Sequence, residues 1–157
     1  PRLQQDLPDF LEKLRSKGYA VKLDTNGSFP ARLRELIAAG LVDYVAMDIK
    51  NSRENYARTA GLPHMDLAAV EESAALLMAG RLPFEFRTTV VRELHTPEDF
   101  TRIGRWLQGP ERYFLQGFQD SGDLICPGFH ACSRQEMEAM RAAAAVFLPA
   151  AALRGEG

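Results

Sequence analysis

Hydrophobic positions along the chain switch between helical and strand spacing from one end to the other. After Pro8, the residues Phe10, Leu11 and Leu14 recur at helical spacing, which predicts a helix capped at its C-terminus by Gly18. Tyr19 to Leu23 predicts a short strand, and Asp24-Thr25-Asn26-Gly27-Ser28 is turn chemistry. Pro30 opens a second predicted helix, with Leu33, Leu36 and Ile37 as its apolar stripe before Gly40. Val42 to Met47 predicts a second strand, Asn51 to Thr59 a short helix or helical loop, and Asp66 to Ala79 a helix stopped by Gly80. Phe84 to Val91 then predicts a third strand, Thr96 caps a helix running to Leu107, and Arg112 to Phe118 is a fourth strand after the Gly109-Pro110 turn. An alanine-rich helix from Ser133 to Phe147 closes the pattern.

Strands separated by helices imply right-handed crossovers and a parallel sheet. The expected class is α/β, either an open layer or part of a (βα) barrel, because the four strands predicted here cannot close one. No repeat, low-complexity tract or linker divides residues 1–157, which read as a single domain. In either architecture ligands gather at the carboxyl ends of the strands.

Alternation sorts the strand side chains into two faces, and the polar ones fall on one of them. Lys22 and Asp24 share a face. So do Ala46, Asp48 and Lys50, opposite Val45, Met47 and Ile49; and so do Glu85, Arg87 and Thr89, opposite Phe84, Phe86 and Thr88. Parallel sheets bury both faces as near-continuous apolar runs, so recurring ionisable groups need a cause. One is an internal ion-pair network, Lys22 with Asp24 or Glu85 and Lys50 with Asp48. The other is a concave pocket for a small molecule bearing both charges, with Asp48 facing an ammonium and Lys50 or Arg87 a carboxylate or phosphate. Asp24-Thr25-Asn26-Gly27 reads as an ordinary turn or as donors and acceptors at a strand end, and Gln116 and Gln119 as contacts to a sugar or base edge or as solvated loop residues.

Composition narrows the partners. The formal net charge is −2 with a quarter of the residues charged, which gives no basic surface for nucleic acid or anionic membrane. No apolar run reaches the roughly 20 residues that span a bilayer, and the first residues are neither a signal nor a transit peptide, so a cytoplasmic protein is expected. The two cysteines, Cys126 and Cys132, with His130 between them, match neither a Cys-x-x-Cys pair nor a zinc half-site and are expected to be ordinary thiols, with a weak soft-metal cluster of the three as the alternative. His64, His95 and His130 are scattered, and no metal site is expected from them.

Lys22-Leu23-Asp24-Thr25-Asn26-Gly27, then Asp43-Tyr44-Val45-Ala46-Met47-Asp48-Ile49-Lys50, then Phe86-Arg87-Thr88-Thr89-Val90-Val91, in that order, resemble the radical S-adenosylmethionine activating enzymes. The resemblance is strongest to the activating proteins of anaerobic ribonucleoside-triphosphate reductases, relatives of pyruvate formate-lyase activating enzyme. It implies a partial (βα) barrel of six strands, of which about four are present here. It also implies a 4Fe-4S cluster on a Cys-x-x-x-Cys-x-x-Cys loop, S-adenosylmethionine bound to that cluster, and a 5′-deoxyadenosyl radical that abstracts hydrogen from a glycine of a partner glycyl radical enzyme. An electron donor is a further implied partner. Carried over residue by residue, Asp48 and Lys50 contact the methionyl end with help from Arg87, and Thr25, Asn26 and Gly27 lie near the cofactor at the first strand's end. Thr89 and Gln119 complete the cofactor-binding set, Gln119 standing where a relative has histidine.

Cys-x-x-x-Cys-x-x-Cys and Gly-Gly-Glu do not occur in residues 1–157. Pro1-Arg2-Leu3-Gln4-Gln5 resembles the segment immediately after the family's Gly-Gly-Glu, so the chain is expected to be the C-terminal part of a parent enzyme, without its cluster-binding part and inactive by itself. Two other readings stand beside this: a barrel lyase with Lys50 as Schiff base and Asp48 as acid-base partner, and a non-enzymatic module whose helix Glu136 to Phe147 docks a partner protein.

Overall fold

A computed structural model describes residues 6–62, 64–119 and 128–155. Its elements are α1 (Leu7–Ser16), β1 (Lys22–Thr25), α2 (Pro30–Ala38), β2 (Tyr44–Asp48), a single 3-10 turn (Arg53–Asn55), α3 (Tyr56–Ala60), α4 (Leu67–Ala79), β3 (Phe84–Val90), α5 (Pro97–Leu107), β4 (Arg112–Gly117), α6 (Arg134–Ala145) and β5 (Ala151–Arg154). The strands form one parallel sheet of five, in chain order. This is the α/β class the pattern predicts, with one more strand than the four predicted.

The chain divides into two compact units. The first holds residues up to Asp48 together with Asp66–Glu85. Here β1 and β2 pair in parallel, Lys22 with Tyr44 through Thr25 with Met47, and α2 packs with α4. The apolar residues of these elements, among them Leu23, Leu33, Leu36, Val45, Met47, Val70, Ala74 and Leu77, are buried. Asp43 ties this unit's entry to β1: its carboxylate accepts the Val21 N–H at 2.6 Å and an Arg15 N–H. The Arg15 bond and then the Val21 bond hold its pKa below the ordinary carboxylate value.

The second unit holds Ile49–Met65 and Phe86 onward. In it β4 and β5 pair in parallel, Tyr113 with Ala151 through Gln116 with Arg154. Helix α5 begins with a capping box between Thr96 and Asp99, and α6 with one between Ser133 and Glu136, each satisfying two N–H groups that the first helical turn leaves without partners. Where α5 meets α6, the backbones approach closely at Gly104, whose position has no room for a side chain beside the Ala144 carbonyl.

The structure corrects the pattern in two places. The first strand is Lys22–Thr25 and not Tyr19 to Leu23: Tyr19 is exposed, and Asp24 and Thr25, read as turn residues, are its last two strand positions. The closing strand β5 escapes the pattern because Ala-Ala-Leu-Arg carries little strand propensity and comes after an alanine-rich helix without a change of composition.

Candidate functional site

In the first unit the chain leaves β1 through a tightly specified turn at Asn26-Gly27-Ser28. Thr25 is buried on the Leu23 side of β1, and its Oγ1 accepts the Gly27 N–H at 3.1 Å. Asn26 Oδ1 accepts the Ser28 N–H at 3.0 Å. Gly27 adopts φ +76°, its carbonyl accepts the Ser73 hydroxyl at 2.7 Å, and a Cβ there would overlap Met47 Cε. The Thr25 hydroxyl and the Asn26 amide oxygen thus each hold a backbone N–H of the turn. Asp48, at the carboxyl end of β2, is half-buried.

At the amino ends of the strands the same unit contains an ion-pair arrangement. Glu85 is 2% exposed. It accepts the Tyr44 hydroxyl at 2.9 Å and pairs with the Lys22 ammonium at 3.9 Å, while that ammonium lies 5.5 Å from the Tyr44 ring centroid. A buried carboxylate needs such partners to stay charged at tolerable cost. Lys22 and Glu85 therefore belong to the network explanation of the polar face.

Toward the carboxyl end of β3 that face opens: Glu85 is buried, Arg87 half-buried and Thr89 exposed, whereas Phe86, Thr88 and Val90 on the other side are all buried. In the second unit the segment after β2 is fixed against β3. The Ile49 N–H donates to the Arg87 carbonyl at 2.8 Å, and the Thr88 hydroxyl lies 2.7 Å from the Ile49 carbonyl and 2.6 Å from the Tyr113 oxygen. These bonds fix Ile49, the residue before the predicted site residue Lys50, against Arg87 and Thr88 of β3; Lys50 is exposed, and Thr89 lies two positions beyond Arg87. Burial pushes the Tyr113 hydroxyl pKa far up, so that group is a neutral partner to Thr88. Gln119 is placed differently: it lines a cavity of about 270 Å³ with Cys132, Arg134, Met137 and Arg154, in which Lys50, Arg87 and Thr89 take no part.

The residues that sequence reasoning missed stand directly behind Lys50. Buried His95 sets Nε2 2.8 Å from the Lys50 carbonyl oxygen and Nδ1 3.0 Å from the Val91 nitrogen. Buried Asn51 donates from Nδ2 to the Leu94 carbonyl at 3.1 Å and to Thr59 Oγ1 at 2.9 Å. Asp99, also buried, accepts the Asn55 amide at 2.6 Å and the Thr96 N–H at 2.9 Å. Polar residues just past a strand end and just before a capped helix were the available signal: Asn51-Ser52 comes directly after Asp-x-Lys, and His95 precedes the Thr96 cap.

Cys126 lies outside the described residues. Cys132 is half-buried, and burial, before the nearby Glu136, raises its thiol pKa, so it is a poorer nucleophile and metal ligand than an exposed thiol. His130 bonds Glu93 through Nδ1 at 2.7 Å, and this bond holds Glu93 below its ordinary value. Among the described residues no three His, Cys, Asp or Glu side chains form a group able to hold a metal ion.

Strands in one parallel sheet, with accessible polar side chains at their carboxyl ends, define an α/β protein of the partial (βα) barrel type. The fold is similar to the crystal structure of a domain of pyruvate-formate lyase-activating enzyme from Bacteroides vulgatus, with a TM-score of 0.70 over 95% of this chain and 89% of that one at 14% identity. In sequence the chain is 31% identical over 127 residues, 76% of its length, to a Methanocaldococcus jannaschii protein named "Putative glycyl-radical enzyme activating enzyme MJ1227". It spans about half of that relative, 51%. No family model matches the chain. The chain is a relative of the radical S-adenosylmethionine activating enzymes of glycyl radical enzymes.

Proposed function

We propose that residues 1–157 are the C-terminal part of an incomplete barrel domain in a cytoplasmic radical S-adenosylmethionine activase, and that its partner is an anaerobic ribonucleotide reductase-like glycyl radical enzyme. The observation that carries this reading is Asp-x-Lys with Ile49, the residue before its lysine, bonded to the Arg87 carbonyl of β3, in a chain related to a glycyl-radical enzyme activating enzyme.

The donor set suits the methionyl end of S-adenosylmethionine: a carboxylate, Asp48, for the ammonium, and two cations, Lys50 and Arg87, for the carboxylate. Thr89 adds a hydroxyl on the accessible face, and Thr25, Asn26 and Gly27 shape the first strand's exit. Gln119, which lines the cavity with Cys132 and Arg154, would add a side-chain amide. The 4Fe-4S cluster is not suited to these residues, since neither the cysteine motif nor a cluster of ligands is present among them, so its ligands and the contact to an electron donor are assigned to the rest of the parent protein. S-adenosylmethionine, when bound, supplies the hydrogen-abstracting chemistry; the residues of this chain bind and orient it. Lys50 is exposed, whereas Schiff-base lysines are activated in desolvated pockets, which disfavours the lyase reading. In the docking-module reading, Met137, Met140 and Ala144 of α6 are already buried within their own unit, which leaves Val146 as the exposed large apolar residue of that helix segment.

The test uses the full-length parent protein with its cluster reconstituted. A charge-assisted contact contributes on the order of 1.5–3 kcal/mol, so Lys50→Ala or Arg87→Ala raises the dissociation constant for S-adenosylmethionine about ten- to a hundredfold while the melting temperature changes little. Unchanged affinity beside a large loss of stability would assign these side chains to the internal ion-pair network instead. The partner is tested by the glycyl radical signal formed on an anaerobic reductase against that formed on pyruvate formate-lyase.

A further inference from the structure

The loop after β2 and the loop after β3 are bonded to each other at successive residues. His95 Nε2 meets the Lys50 carbonyl at 2.8 Å, and Asn51 Nδ2 meets the Leu94 carbonyl at 3.1 Å. His95 is 3% exposed, packed against Phe100 with ring centroids 5.6 Å apart. Its neighbours set its tautomer. The Lys50 carbonyl can only accept, so Nε2 must donate. The Val91 N–H points to Nδ1 at 3.0 Å, while the Val91 carbonyl, 3.2 Å from Nδ1, already accepts the Leu94 and His95 N–H groups, each at 3.0 Å. Nδ1 is therefore the acceptor, and the ring proton sits on Nε2, directed at the Lys50 carbonyl. Burial lowers the imidazole pKa despite the bonds to Lys50 and Val91, in keeping with a neutral ring.

Lys50 is the one residue of this clamp whose side chain is exposed. Its backbone is gripped on both sides, by the Ile49 bonds to β3 and by His95, and a long side chain contributes directional binding only when its root is fixed. We infer that His95 is a positioning residue that, as the Nε2–H tautomer, holds the Lys50 carbonyl and so aims the Lys50 ammonium at an anionic group of the ligand. This rests on the reading of Lys50 as a contact to the carboxylate of S-adenosylmethionine.

Four variants of the full-length, cluster-reconstituted protein test it: His95→Leu, His95→Gln, Lys50→Ala, and His95→Leu with Lys50→Ala. The readouts are the equilibrium dissociation constant for S-adenosylmethionine, the melting temperature, and the 15N shifts of labelled His95. The glutamine amide reaches the Nε2 position and keeps a donor there. His95→Leu is expected to weaken binding about tenfold, the most that one ordinary hydrogen bond supports. His95→Gln recovers most of that loss, and the leucine change has no further effect once Lys50 is alanine. The 15N spectrum shows a neutral Nε2–H ring. A His95→Leu protein with a lower melting temperature but unchanged affinity, beside a Lys50→Ala protein that binds weakly, overturns the positioning role alone. If Lys50→Ala itself binds normally, the reading of Lys50 falls and this inference with it. Should His95→Leu not fold, a glutamine variant that binds tenfold more weakly, or an Nδ1–H signal, overturns the proposal; near-normal binding by His95→Gln with an Nε2–H signal supports it.

Discussion

Gly27 shows how one residue links turn chemistry to strand packing. With φ at +76°, an alanine there meets the left-handed penalty of about 1–2 kcal/mol, and its methyl also displaces Met47 Cε from β2. Gly61 has a similar φ of +70° with open space around it, so Gly61→Ala carries the backbone penalty alone. Urea denaturation is expected to show Gly27→Ala as the more destabilising of the two. Equal losses would mean that Met47 moves aside freely and that the turn is not braced against β2. The sequence displayed the Asn26-Gly27 turn plainly; that Asp24 and Thr25 belong to the strand, and that Thr25 and Asn26 hold the turn's backbone, became visible only in the structure.

Among the elements, the helix boundaries track the chain's own signals closely. Asp66, Thr96 and Ser133 all act as N-caps, and their role is local chemistry that any sequence carries openly. The α5·α6 contact is a different matter. Gly104 lies inside α5, where alanine would ordinarily gain about 1 kcal/mol of helix propensity. At this position a Cβ would sit 2.9 Å from the Ala144 carbonyl oxygen and 3.3 Å from Phe147 Cβ. Overpacking against backbone costs about 1–3 kcal/mol. The clash wins, and Gly104→Ala is expected to lower stability by about 1 kcal/mol in chemical denaturation. A stabilised variant would show that α6 yields to the extra methyl.

For the whole molecule the decisive quantity is the ligand set. The chain has two cysteines, one of them with a thiol made less acidic by burial, and cluster ligation requires thiolates placed together. Anaerobic reconstitution of residues 1–157 with iron and sulfide is therefore expected to leave no visible absorbance after desalting. A persistent band with matching iron content would assign Cys126 and Cys132 as ligands.

The sequence by itself determined the α/β class, nearly every helix and the Asp-x-Lys and Arg-Thr-Thr segments, because hydrophobic period, caps and turn residues act over a few neighbouring positions. It did not determine that Glu85 pairs with Tyr44 and Lys22, nor that His95 holds the Lys50 carbonyl. Those partners are 41, 63 and 45 positions apart in the chain. Alternation assigns a residue to a face and leaves its partner open, so Glu85, Arg87 and Thr89 of the third strand looked alike. Only the folded chain separates the buried Glu85 at the amino end from the more accessible carboxyl end, because the cost of burying charge depends on neighbours that the tertiary structure supplies.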